Sequence, residues 1–146
     1  MTSEQPKGRI PNPYVISFIA CDDTIFDSST NKRSIIGILQ DVHALGYPAL
    51  HPRLSIFAEL TNGHGMVEIE IRMVHAATDK PVFSAKGTVD MSDPRAVGNL
   101  IFSMYNVVIP MEGEYRFQLY SAGTLLVERR LVAHLGKVEP KGPDHE

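Results

Sequence analysis

The chain has 146 residues, 43% of them apolar and 21% charged, an ordinary balance for one domain whose core is large enough to need neither a disulfide nor a metal. A net charge of −3, with the 14 basic residues scattered apart from Arg129-Arg130, excludes an electrostatic footprint for nucleic acid or an anionic membrane. The single cysteine, Cys21, excludes an internal disulfide framework and fits a reducing, cytoplasmic compartment, and no apolar run is long enough to span a bilayer.

Residues 1–13 hold Pro6, Gly8, Pro11 and Pro13 among polar neighbours and are expected to form a flexible tail, with one β domain over 14–136 and a second tail over 137–146. Tyr14 to Cys21 is almost wholly apolar and β-branched or aromatic, the composition of a strand buried on both faces or bent across two layers, and it can run on to Phe26. Asp27-Ser28-Ser29-Thr30-Asn31-Lys32 is a dense turn signal, after which Ser34 to Val42 returns as one strand with Gly37 marking a bulge or a close backbone approach. From His43 to Arg53, Gly46, Pro48 and Pro52 predict a crossover loop to the other sheet.

Leu54, Ile56, Ala58 and Leu60 then alternate with Ser55, Phe57 and Glu59, and Asn62-Gly63-His64-Gly65 turns the chain into Val67, Ile69, Ile71 and Met73, which alternate with Glu68, Glu70 and Arg72. Another turn over Ala77-Thr78-Asp79-Lys80 precedes a strand opened by Pro81. Ser92-Asp93-Pro94 resembles a helix entry, and Val97, Leu100, Ile101 and Met104 sit at helical spacing. The same segment also fits a strand, which Val107-Val108-Ile109 continues, and the strand is the reading adopted. The last elements are a hairpin. Tyr115, Phe117 and Leu119 face one way, Gly123 supplies the reversal, and Leu125, Val127, Leu131 and Ala133 run back, with Arg129-Arg130 predicting a bulge or a solvent-facing edge. About seven to nine short strands with regular turn signals predict an all-β, antiparallel, immunoglobulin-like β-sandwich, with a barrel as the alternative.

Ala20-Cys21-Asp22, Thr30 with Lys32, Ser34-Ile35-Ile36-Gly37-Ile38, His51-Pro52-Arg53-Leu54, Leu60-Thr61-Asn62-Gly63-His64-Gly65, Asp93-Pro94 and Gly113-Glu114-Tyr115-Arg116-Phe117 follow one another in an order that resembles a bacterial family known only as a domain of unknown function. The resemblance covers about residues 14–135 and implies a small bacterial β-sandwich with no assigned activity.

Chemistry has few candidates. Cys21, Asp22 and Asp23 would meet His43 or His51 if the loops at one end of the sandwich cluster, giving a thiol nucleophile with a histidine base, or a small metal site. The competing reading is a buried strand cysteine beside aspartates that hydrogen-bond loop amides. No spacing here matches a metal-ligand or nucleophile motif, so no catalytic, cofactor-binding or metal residue is assigned and no cofactor is expected. His64 reads as a turn residue, and His75 and His134 as strand-end residues. Phe18-Ile19-Ala20-Cys21 after Lys7 and Arg9 faintly imitates a lipoprotein processing site, although Pro11 and Pro13 interrupt the apolar helix such a signal requires.

The function these residues favour is a non-enzymatic protein-interaction or structural module, acting on a protein partner or by self-association. A small metal-binding or hydrolytic site is the alternative, and a lipid-anchored envelope protein the second alternative. Candidate surfaces are the edges at Glu128, Arg129 and Arg130 and at Pro81, whose charges and proline equally serve as protection against aggregation, and a patch of Phe57, Tyr105 and Tyr120 if those rings share one face.

Overall fold

A computed structural model describes residues 11–138; the parts of the expected tails at 1–10 and 139–146 lie outside the described residues. Nine strands follow in order: β1 (Tyr14–Asp27), β2 (Lys32–Ile38), β3 (Asp41–Ala44), β4 (Ala49–Thr61), β5 (Gly65–His75), β6 (Pro81–Met91), β7 (Gly98–Ile109), β8 (Gly113–Ser121) and β9 (Thr124–Leu135). They form a four-stranded sheet, β2-β1-β4-β7, and a five-stranded sheet, β3-β9-β8-β5-β6. The all-β sandwich read from the sequence is therefore present, and Gly98 to Ile109 is strand, not helix.

Alternation decides the packing. On β4, Leu54, Ile56, Ala58 and Leu60 are wholly buried, and they share one cluster with Ile69, Ile71 and Met73 of β5 and with Tyr115, Phe117 and Leu119 of β8. Full burial of each such aliphatic or aromatic side chain is worth about 1.5–3 kcal/mol, so this dry layer holds the two sheets together. Gly87 of β6 lies under Phe102 of β7, and Gly98 under Val89, so small residues let the two sheets close along that side.

Three features differ from the expectation. First, Ser34 to Val42 is not one strand. β2 pairs with β1 as far as Ile38, Leu39 donates its N–H to the Ala20 carbonyl at 2.8 Å, and the Gln40 carbonyl then accepts from Val132 at 3.1 Å, where β3 begins in the other sheet. Buried Leu39 is the pivot, and Gly37 at φ +69° provides the bend; a Cβ there would lie 2.5 Å from the Asp22 carboxylate. The chain thus changes sheet before the predicted crossover, and the segment around Gly46 and Pro48 brings it back, tethered by Tyr47 Oη donating to the His134 carbonyl at 2.7 Å. Second, β3 runs parallel to β9, so one pairing departs from the antiparallel rule. Third, β1 and β2 continue past the core as a two-stranded arm ending at the Asp27–Lys32 pair, with Ile25 and Phe26 about half exposed.

At the β7–β8 corner, Tyr115 Oη donates to the Met111 carbonyl at 2.6 Å and accepts from the Met111 N–H at 3.2 Å. This is the tyrosine-corner geometry of immunoglobulin-like sandwiches, in which a buried ring carries its hydroxyl out to satisfy a turn backbone. Tyr115→Phe leaves both Met111 groups short of a partner and is expected to lower the unfolding free energy by about 1–3 kcal/mol with an unchanged denaturant slope. Urea unfolding followed by circular dichroism measures this, and an unshifted midpoint would show that the corner bond does not stabilise the fold.

Candidate functional site

Strand alternation separates the residues that sequence spacing had grouped. Cys21 is fully buried in β1, its Sγ 3.5 Å from the Ser55 carbonyl. Asp23 shares that side of the sheet and pairs with Arg53 at 3.2 Å. Asp22 turns to the opposite side, where its Oδ1 meets His51 Nε2 at 3.2 Å. His43 belongs to the other sheet, its ring stacked on His134 at 4.6 Å, while His134 Nε2 meets Asp41 at 2.7 Å. The structure thus brings together Asp22 with His51 and Asp23 with Arg53, and it does not bring Cys21, Asp22, Asp23, His43 and His51 to one point. Among the described residues no group of three His, Cys, Asp or Glu side chains is arranged to hold a metal ion.

The thiol is also in the wrong state for nucleophilic work. Burial pushes the Cys21 pKa up, and the negative charges of Asp22 and Asp23 push it further, which disfavours the thiolate that attack requires. Processing at Cys21 would remove Tyr14 to Ala20, the part of β1 that pairs with β4 and carries core residues Phe18 and Ala20. His75 caps its own turn through Thr78 at 3.1 Å and packs edge-on against Tyr115, so it too is occupied locally. Surface depressions are shallow; one of about 410 Å³ lies among Glu68, Glu70, Lys86 and Thr88.

The two outer faces of the sandwich differ sharply. On the five-stranded sheet, Glu68, Glu70 and Arg72 of β5 lie beside Ser84 and Lys86 of β6, and Arg116 and Gln118 of β8 beside Glu128 and Arg130 of β9. Arg72 bonds Glu70 at 2.9 Å and Arg116 bonds Glu128 at 3.2 Å, and the Arg72 hydrogen bond holds the Glu70 carboxyl below its ordinary pKa. That is a solvated lattice of opposite charges.

The four-stranded sheet instead presents rows read directly from its register. Ile19, Phe57 and Ile101 lie side by side on β1, β4 and β7; one step along come Cys21, Ser55 and Ser103, flanked by Ile38 of β2. At one end stand Asp23, Arg53 and Tyr105, with the Arg53 guanidinium 5.7 Å from the Tyr105 ring. At the other end Ser17 donates to Glu59 at 2.8 Å, beside Asn99. Ile36, Ile38 and Tyr105 are 45%, 56% and 63% exposed, large apolar groups on the same side of the sheet as Phe57, Cys21 and Ser55, which are buried. The expected exposed patch does not form: Phe57 lies on this side beside Tyr105's strand but is buried, and Tyr120 lies on the charged sheet with Arg72 over its ring at 4.3 Å. The sequence reading missed Ile19, Ile101, Ile36 and Ile38. Their signal was the near-continuous apolar run of β1, which implied two buried sides without saying what would cover the second.

Of the predicted edges, β6 is an outer strand of its sheet, and β9 is bordered by β3 from Val132 to Leu135. In the free part of β9, Arg129 reaches inward across the seam to the Phe18 carbonyl of β1 at 3.0 Å, so it occupies an edge acceptor that an added strand would need. Because Cys21 is buried and held protonated, it is expected to resist alkylation by iodoacetamide at pH 8 in the folded protein and to react at the rate of a free thiol in urea. Equal rates in both conditions, followed by mass spectrometry, would contradict the placement.

Comparison with known proteins gives a family and a structural neighbour and no chemistry. No curated protein matches the chain. An immunoglobulin-like protein from Pseudomonas aeruginosa is a solved structural neighbour at 13% identity and a TM-score of 0.41, the match covering 84% of this chain and 97% of that one. A family model matches residues 16–134, nearly all of the sandwich, and by that match the chain belongs to the family of unknown function DUF6941.

Proposed function

We propose that this protein is a non-enzymatic interaction module whose working surface is the outer face of the four-stranded sheet. One observation carries the reading: of two solvent-facing sheets built from the same chain, one is tiled with paired charges and the other exposes Ile36, Ile38 and Tyr105 beside half-buried Ile19 and Ile101. Apolar side chains held in a contiguous sheet face lose water when a partner covers them, at roughly 25 cal/mol per Å² of apolar area, and a protein with no partner gains nothing by keeping them there.

The absence of convergence among Cys21, Asp22, Asp23, His43 and His51 supports the same reading, since acid–base or nucleophilic catalysis needs such groups within hydrogen-bonding reach. A lone unpaired cysteine also fits a reducing compartment, and we assign the protein to the bacterial cytoplasm on that ground.

The test places a photoreactive benzoylphenylalanine at Ser103, in the centre of the apolar face, and in a second variant at Lys86 on the charged sheet. Irradiation of cells is expected to give discrete covalent adducts from position 103 and few from position 86. Adduct patterns that do not distinguish the two faces would remove the proposal.

A further inference from the structure

We infer that Arg129 is a guard: it keeps the open flank of the sandwich, where β1 and β9 run side by side, from taking up a strand of a second copy of this chain. The inference is independent of the reading of the outer face. Among the described residues the two sheets are joined on this flank only where Leu39 and Gln40 cross between them. There the Leu39 N–H meets the Ala20 carbonyl at 2.8 Å and the Val132 N–H meets the Gln40 carbonyl at 3.1 Å. On one side of the crossing β2 covers β1 and β3 covers β9. On the other, Tyr14 to Ile19 and Thr124 to Leu131 each have a strand neighbour along one edge alone.

Backbone groups alternate in direction along an antiparallel strand. The Phe18 carbonyl therefore points to the flank as the Ala20 carbonyl does, and the backbone groups of Glu128 and Arg130 point there as those of Val132 do. Open edges of this kind are templates for another strand. Bulges interrupt both far ends, at Val15–Ser17 on β1 and at Leu126 on β9, and they leave the regular stretches around Phe18 and Arg129 without that protection. A shallow depression of about 350 Å³ runs between the two edges, walled by Val15 to Phe18 and by Leu126 to Arg129. Arg129 crosses it, its Nη1 donating to the Phe18 carbonyl at 3.0 Å.

Its neighbours are used differently. Arg116 and Arg130 pair with Glu114 and Glu128 on the outer face. Among the described residues Arg129 meets no carboxylate, and its Nε is buried without a hydrogen-bond partner. An unsatisfied buried donor and an unpaired charge both weigh against folding, and an apolar side chain of the same length would fill the seam with neither. Packing alone thus does not account for an arginine here. The guanidinium opposes strand addition in two ways: it holds the acceptor that the next strand needs, and a strand laid along either edge would cover a cation that has no counter-charge. A second copy is the strand donor always at hand, since it brings the same two edges, and identical edges pair antiparallel about a two-fold axis.

Sedimentation equilibrium of the full chain from about 1 µM to 1 mM reads the association constant of each variant against that of the wild-type chain. Arg129→Met keeps the apolar stem and removes both the charge and the bond to Phe18; it is expected to self-associate about tenfold or more strongly than wild type, with a urea midpoint close to the wild-type value. Arg129→Lys keeps a cation and a donor and is expected to behave as wild type. Arg130→Met breaks the Glu114 pair on the outer face and is expected to leave association unchanged. If circular dichroism shows R129M unfolded, Arg129→Gln, which keeps a donor and loses only the charge, decides in its place, with a change in the same direction. A folded R129M or R129Q that associates no more than wild type overturns the inference. So does an R130M or R129K variant that gains as much as R129M, and so does a loss of stability in R129M with no gain in association, which would make Arg129 a structural residue only.

Discussion

The structure depends on one constraint, that each sheet has a dry side and that the two dry sides exclude water against each other. Leu54, Ile56, Ala58 and Leu60 on one sheet and Ile69, Ile71, Met73, Tyr115, Phe117 and Leu119 on the other meet this requirement. The Tyr115 hydroxyl, the Leu39 pivot and the Tyr47 tether all act at the margins of that layer, where backbone groups would otherwise be left without partners.

A sandwich satisfied in this way still has two outer faces, and here they answer to different demands. The five-stranded sheet faces water with interleaved Glu, Arg and Lys side chains. The four-stranded sheet faces it with Ile36, Ile38 and Tyr105, beside a row in which Cys21 and Ser55 are buried and Ser103 is exposed. Cys21 is inaccessible although it lies on the side away from the core, between Ile38 of β2 and Ser55 of β4.

The free edges show the opposite tendency. Arg129 turns inward to occupy the Phe18 carbonyl, Pro81 opens the outer strand β6, and β3 covers the end of β9. Charges and proline on an edge discourage strand addition.

The sequence by itself determined the local alternation, and with it most of the strands, the hairpin from Gly113 to Leu135, the all-β class and the inward sets of β4, β5 and β8, because a period of two is a property of the extended chain. Even the strand reading of Leu100 to Ile109 followed from β-branched residues alone. Only the tertiary structure decided that Ser34 to Val42 breaks at Leu39 and joins both sheets, since that depends on the room the core leaves for one leucine. It alone decided that Cys21 and Asp22 look in opposite directions from a shared strand, and that Cys21, Ser55 and Ser103 from distant parts of the chain stand in one row. Register between strands is set by what packs beneath them, and no local pattern of residues carries that information.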